Sequence, residues 1–99
     1  MRRAVALAPG DAAAWRNLGV ACTALDRMDE ATAALRGACA LAPEAAEAHA
    51  SLGTALVRDL RLPEAVAAYR EALRLRPAFA AASWDLGFAL LLGGNFAGG

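Results

Sequence analysis

Apolar side chains recur every three to four residues through nearly the whole chain, the spacing of helices that each bury one face. Trp15, Leu18 and Cys22 form one such stripe, followed by Ala31, Leu35 and Ala38, then Leu52 and Leu56, then Ala65, Tyr69 and Ala72, then Leu86 and Leu90. The stripes predict helices near 12–25, 29–41, 45–58, 63–75 and 79–92. Met1 to Ala8 reads as the tail of a further helix, broken by Pro9-Gly10. Asp11 is placed to cap the free N–H groups of the next helix. Asp26 to Met28 supplies a short turn, and Asp29-Glu30 put negative charge on the following first turn. Pro63 falls where a helix tolerates proline, at its first position. Gly93-Gly94 end the last full helix, and Asn95 resembles the cap of another that Phe96 and Ala97 begin. Nothing alternates as a strand would.

The stripes repeat with a fixed period. Pro9, Pro43 and Pro77 stand 34 residues apart, and so do the pairs Leu18-Gly19, Leu52-Gly53 and Leu86-Gly87. Ala31 and Ala65, Leu35 and Tyr69, and Ala38 and Ala72 keep the same step. A period of this size dictates a stacked array of like units rather than one closed core.

The first unit reads Trp15-x2-Leu18-Gly19-x2-Cys22, then Ala31-x3-Leu35, then Pro43. The second reads His49-x2-Leu52-Gly53-x2-Leu56, then Ala65-x3-Tyr69, then Pro77. The third begins Ser83-x2-Leu86-Gly87-x2-Leu90. In period and pattern the chain resembles the tetratricopeptide repeat family. Only the first unit carries that family's Trp, and its Tyr slot holds Cys22, Leu56 and Leu90, all apolar. The resemblance implies an all-α fold of antiparallel helix pairs stacked into a right-handed superhelix. It divides the chain into the second helix of a preceding unit (1–9), units at 10–43 and 44–77, and the first helix of a third at 78–99.

A glycine inside a helix costs up to about 1 kcal/mol relative to alanine, so three in phase require a reason. Close approach of the neighbouring helix is the reason expected, with no side chain between the backbones. Alanines 31, 38, 65 and 72 would serve the same end from the facing helix. Gly53→Leu should then unfold the array and Ala50→Leu should not.

Hydrophobic residues make up 59% of the chain, yet the longest apolar run, Leu86 to Leu92, is far shorter than the roughly 18 to 20 residues that span a bilayer. Met1-Arg2-Arg3 leads into only a brief apolar stretch, which is a poor secretory signal. The expected location is the cytoplasm. Ten basic and ten acidic residues cancel, which argues against nucleic acid or membrane as partner. Zero net charge also favours self-association. Cys22 and Cys39 are too few for a disulfide framework and read as small core hydrophobes.

The inventory does not make an enzyme. His49 has no second histidine to complete a metal site and stands in the slot of Trp15. Asp29, Glu30, Glu44 and Glu64 sit at helix starts, where they complement the helix dipole. The paired glycines lack the strand–loop–helix setting of a phosphate loop. Arg36, Arg70 and Arg74 read as a solvated face. No cofactor, metal or catalytic residue is expected.

What remains is a groove. In the family resembled, the first helix of each pair lines a concave surface that binds peptides. Helical periodicity places Ala13, Arg16, Val20, Thr23 and Ala24 on that face in the first unit. Glu47, Ala50, Thr54, Val57 and Arg58 follow in the second, and Ala81, Trp84, Phe88, Leu91 and Leu92 in the third. Asn17, Ser51 and Asp85 border it. The candidate binding residues are Arg16, Asn17, Val20, Glu47, Ser51, Thr54, Arg58, Trp84, Asp85 and Phe88. Arg16 and Arg58 offer carboxylate partners, while Trp84 and Phe88 offer stacking area. The family's Lys, Asn and Arg clamp for chaperone C-termini is missing: Val20 stands at its Asn and the chain has no Lys. Asn17 matches the asparagine ladder by which N-acetylglucosamine transferases hold peptide backbones, and Ser51 and Asp85 depart from it.

Between Phe79 and Leu92 the only polar side chains are Ser83 and Asp85. A helix so apolar requires cover. The expectation is a piece of a longer array that self-associates, the helix 79–92 taking cover from Met1 to Ala8 of a neighbour. Leu90 to Gly99 resembles the close of arrays that precede glycosyltransferase-type domains in bacterial relatives of O-linked N-acetylglucosamine transferase. That resemblance implies a module of a larger enzyme as the alternative to a free-standing scaffold.

Overall fold

The computed structural model describes residues 11–93. They form five α-helices: α1 (Ala12–Ala24), α2 (Met28–Leu41), α3 (Ala46–Arg58), α4 (Leu62–Leu75) and α5 (Ala80–Gly93). No strand occurs among the described residues. The predicted helix over 1–8, the Pro9-Gly10 break and the Asn95 cap lie outside them.

Local chemistry sets the helix ends. The Asp11 carboxylate accepts from the N–H of Ala13 at 3.0 Å and of Ala14 at 3.4 Å, satisfying donors that a helix start leaves open. Acidic residues occupy the first turns of α2, α3 and α4. Pro63 sits within the first two positions of α4, where its missing N–H costs nothing. The turns inside each pair hold a feature the residue types concealed. Asp26 has φ 66° and Leu60 φ 60°, both left-handed, at positions one period apart. A leucine there costs roughly 1–2 kcal/mol in Cβ crowding, and no glycine marks either site.

The helices stack as a row of pairs. α1 packs on α2 and α3 on α4, while α2 meets α3 and α4 meets α5. The first helices of successive pairs also touch, α1 with α3 and α3 with α5. α1 does not reach α4 or α5, and the backbones of α2 and α4 stay apart, bridged at the surface by the Arg36–Glu64 ion pair at 3.3 Å. Contacts therefore stay local along the chain, which distinguishes an array from a closed bundle. Because α1, α3 and α5 crowd together and α2 and α4 stand apart, the row curves with the first helices on its inner wall. The result is an elongated all-α superhelix measuring 45 × 26 × 18 Å.

Small residues line the pair interfaces. Ala31, Ala38, Ala65 and Ala72 are all fully buried, as are Leu35, Leu56 and Tyr69. The glycines act differently from the expectation. A Cβ on Gly19 would come within 2.3 Å of Leu35 Cγ, and one on Gly53 within 2.8 Å of Tyr69 Cε1 and Cζ. Glycine is thus required not for bare backbone contact but to admit a large side chain from the paired helix. Gly87 departs further, with nothing within 4 Å of its Cβ position. The residue in phase with Leu35 and Tyr69 would be number 103, past Gly99 of this sequence.

Trp15 packs its indole against Gly37 of α2, 3.3 Å from where a Cβ would stand. His49 holds the same slot one unit later, and its Nε2 donates to the Pro43 carbonyl at 3.0 Å.

Candidate peptide-binding groove

On the inner wall, α1 and α3 enclose a pocket of about 350 Å³ lined by Val20, Thr23, Ala24, Ser51, Thr54 and Arg58. One wall comes from the end of α1, where Thr23 is buried and its hydroxyl donates to the Gly19 carbonyl at 2.8 Å. Arg58 crosses from α3, its Nη1 donating to the Thr23 carbonyl at 3.1 Å. A cation here complements the negative end of the α1 dipole. Arg58 therefore ties the two units together while leaving further N–H donors of its fork toward the pocket.

Thr54 shapes the floor. Its hydroxyl donates to the Ala50 carbonyl at 3.2 Å and lies 2.9 Å from the Tyr69 hydroxyl. Tyr69 spans the second pair from α4, filling the gap left by Gly53 and ending at the groove. Burial, with the Asp85 charge adding and the Thr54 bond opposing, pushes its phenol up to about 12. An unfolded tyrosine ionises near pH 10. Between pH 10 and 12 the unfolded chain loses this proton first, so stability falls as pH rises through that window, and below it the contribution is constant. The urea midpoint is expected to drop more steeply from pH 10 to 12 in the wild type than in Tyr69→Phe. Parallel pH profiles would contradict this reading.

The other candidate residues are distributed along the same wall. Arg16 is half-buried and Asn17 exposed on α1. Glu47 pairs with Arg76 at 3.1 Å, and the Arg76 guanidinium lies 5.0 Å over the Phe79 ring. That group sits at the α4–α5 junction, away from the pocket, which turns Glu47 toward joining units. On α5, Trp84 is 81% exposed and Phe88 53%. They line a second, larger pocket of about 590 Å³ with Ala80, Ser83, Gly87 and Leu91. The structure thus brings Val20, Ser51, Thr54 and Arg58 into one pocket and Trp84 and Phe88 into another. Arg16, Asn17, Glu47 and Asp85 line neither. Tyr69 was missed as a groove residue because its stripe reads as core. Its signal was a lone hydroxyl at a slot that holds leucine one period earlier.

Among the described residues no three His, Cys, Asp or Glu side chains gather to hold a metal ion. Cys22 is buried and Cys39 half-buried, both as free thiols. Burial pushes the Cys39 thiol up, with Arg36 opposing, so it stays a packing residue rather than a ready thiolate. No described helix is long and apolar enough to cross a membrane.

Residues 1–46 match the family model described as tetratricopeptide repeat, and residues 61–94 match a second described as TPR repeat. Among solved structures, a mutant of the Thermobaculum terrenum O-GlcNAc transferase superposes on 89% of this chain with a TM-score of 0.85 at 32% identity. The chain belongs to the tetratricopeptide repeat family. It spans 17% of the length of that transferase structure. No curated protein matches the chain. Tetratricopeptide repeats mediate protein–protein interaction, and the inner wall of this array is where their first helices lie.

Proposed function

We propose that this tetratricopeptide array is a non-catalytic scaffold that holds a peptide or partner protein along its inner wall. The observation that supports it best is a pair of pockets on the first helices: Val20, Ser51, Thr54 and Arg58 line one, and Trp84 and Phe88 line another. Polar hydroxyls and an arginine at one end suit a peptide backbone or carboxylate, and aromatic area at the other suits an apolar anchor. Balanced charge favours recognition of a peptide by local contacts over long-range attraction to a polyanion. The reading carries the candidate residues over as a group, Arg16 and Asn17 marking the groove's first turn.

The test is capture of partners by the intact protein carrying this array, wild type against Trp84→Ala combined with Arg16→Ala. Loss of partners with the fold retained is the expected outcome. An unchanged set of partners would remove the groove from the account.

A second reading is favoured by the transferase likeness: a substrate-recognition or regulatory module of a larger glycosyltransferase-like enzyme. A catalytic domain encoded beyond Gly99 in the parent reading frame would support it. Its absence there would leave the scaffold alone.

A further inference from the structure

Arg58 carries a charge that no carboxylate of the chain answers. Five other arginines each hold an Asp or Glu within 3.4 Å. Arg58 holds none, although every Asp and Glu of the sequence falls within the described residues. Its one hydrogen bond among those residues goes to the Thr23 carbonyl, at 3.1 Å. That carbonyl already accepts from the Asp26 N–H at 3.0 Å, so the end of α1 does not need Arg58 to satisfy it. The repeat does not need an arginine here either, since Ala24 and Leu92 hold the same place one period to each side. What the bond does is fix the guanidinium at the α1–α3 pocket with its other N–H groups open.

We propose, resting on the reading of the inner wall as a peptide groove, that Arg58 makes this pocket a subsite for a peptide carboxylate. A carboxylate takes two parallel N–H···O bonds from a guanidinium fork and neutralises it. No acidic side chain lines the pocket to compete. Holding the fork in place beforehand lowers the ordering cost of binding. Ser51, half-buried and without a hydrogen bond among the described residues, adds a free hydroxyl donor on the same wall. The Thr54 hydroxyl is already spent on the Ala50 carbonyl. Val20, 45% exposed, gives apolar surface for the stem that carries the acid. A peptide carbonyl suits the place less, because it leaves the Arg58 charge unanswered. The group has two sources, an Asp or Glu side chain and a free C-terminus.

The probe is a displayed library of random seven-residue peptides, panned on the whole chain in two forms, one with the peptide C-terminus free and one with it fused. Enrichment of Asp or Glu at one position in both forms is expected if a side chain supplies the group. Selection from the free form alone is expected if the terminus does. Selected peptides remade with glutamine for the acid, or with an amidated C-terminus, should bind about tenfold or more weakly, the worth of a charge-assisted hydrogen bond. On Arg58→Met, its folding checked by circular dichroism, acidic and neutral peptides should bind alike. Arg70→Met, which removes an exposed arginine from α4, should leave the preference in place. The substitution on the peptide keeps the test decisive should Arg58→Met fail to fold. Peptides selected without an acidic preference, or a preference that survives in folded Arg58→Met, would overturn the subsite and leave the groove standing. A library from which the wild type selects nothing would overturn the groove and the subsite with it.

Discussion

Gly53→Leu is expected to leave the chain largely unfolded at 25 °C, while Gly87→Leu remains folded. At Gly53 the first added carbon already falls 2.8 Å from the Tyr69 ring. That ring is 2% exposed and has nowhere to move. Overpacking a tight core by a few methylenes costs about 1–3 kcal/mol and more when the backbone must part. Leucine adds four carbons, and parting α3 from α4 also breaks the Tyr69–Thr54 bond. The whole margin of a small domain is about 5–15 kcal/mol, and this short array stands at the low end for its size. Gly87 presents the same residue in the same phase with open space around it. There a side chain replaces a poor helix former and should gain up to about 1 kcal/mol. Thermal unfolding followed by circular dichroism separates the two. Similar midpoints would show that glycine is retained for some reason other than the facing side chain.

Tyr69→Ala is the second large effect, an expected loss of about 3–5 kcal/mol in urea unfolding. The ring closes the Gly53 seat and packs the second pair, so truncation leaves a cavity that rigid neighbouring helices cannot fill. Tyr69→Phe keeps the ring and removes only the hydroxyl. Thr54 still donates to the Ala50 carbonyl, so no buried donor is stranded and the cost should be about 1 kcal/mol. If Phe proved as costly as Ala, the hydrogen bond and not the ring would be the main support, and the packing account of the glycines would fail with it.

The array was legible because its signals are redundant. Leu18-Gly19 and its two echoes, the alanines at 31, 38, 65 and 72, and the three prolines all report one period, and helix limits followed to within one residue. What glycine does was not legible. The sequence shows that Gly19 and Gly53 are small, but only coordinates show that Leu35 and Tyr69 reach into them. The left-handed turns at Asp26 and Leu60 were hidden because neither residue type announces positive φ. Periodicity placed Val20, Thr54 and Arg58 on one face, and all three line the α1–α3 pocket. It had no way to show that Arg58 would reach the Thr23 carbonyl or that Glu47 would be drawn to Arg76. Those pairings depend on the curvature between units, which is set by side-chain packing across the whole row.

The most direct test of the nesting is a double-mutant cycle between Gly53→Ala and Tyr69→Val by urea unfolding. The account predicts that the cost of Gly53→Ala shrinks by about 1 kcal/mol or more once the ring is removed, since close neighbours couple. An alanine at 53 that costs the same in both backgrounds would contradict it.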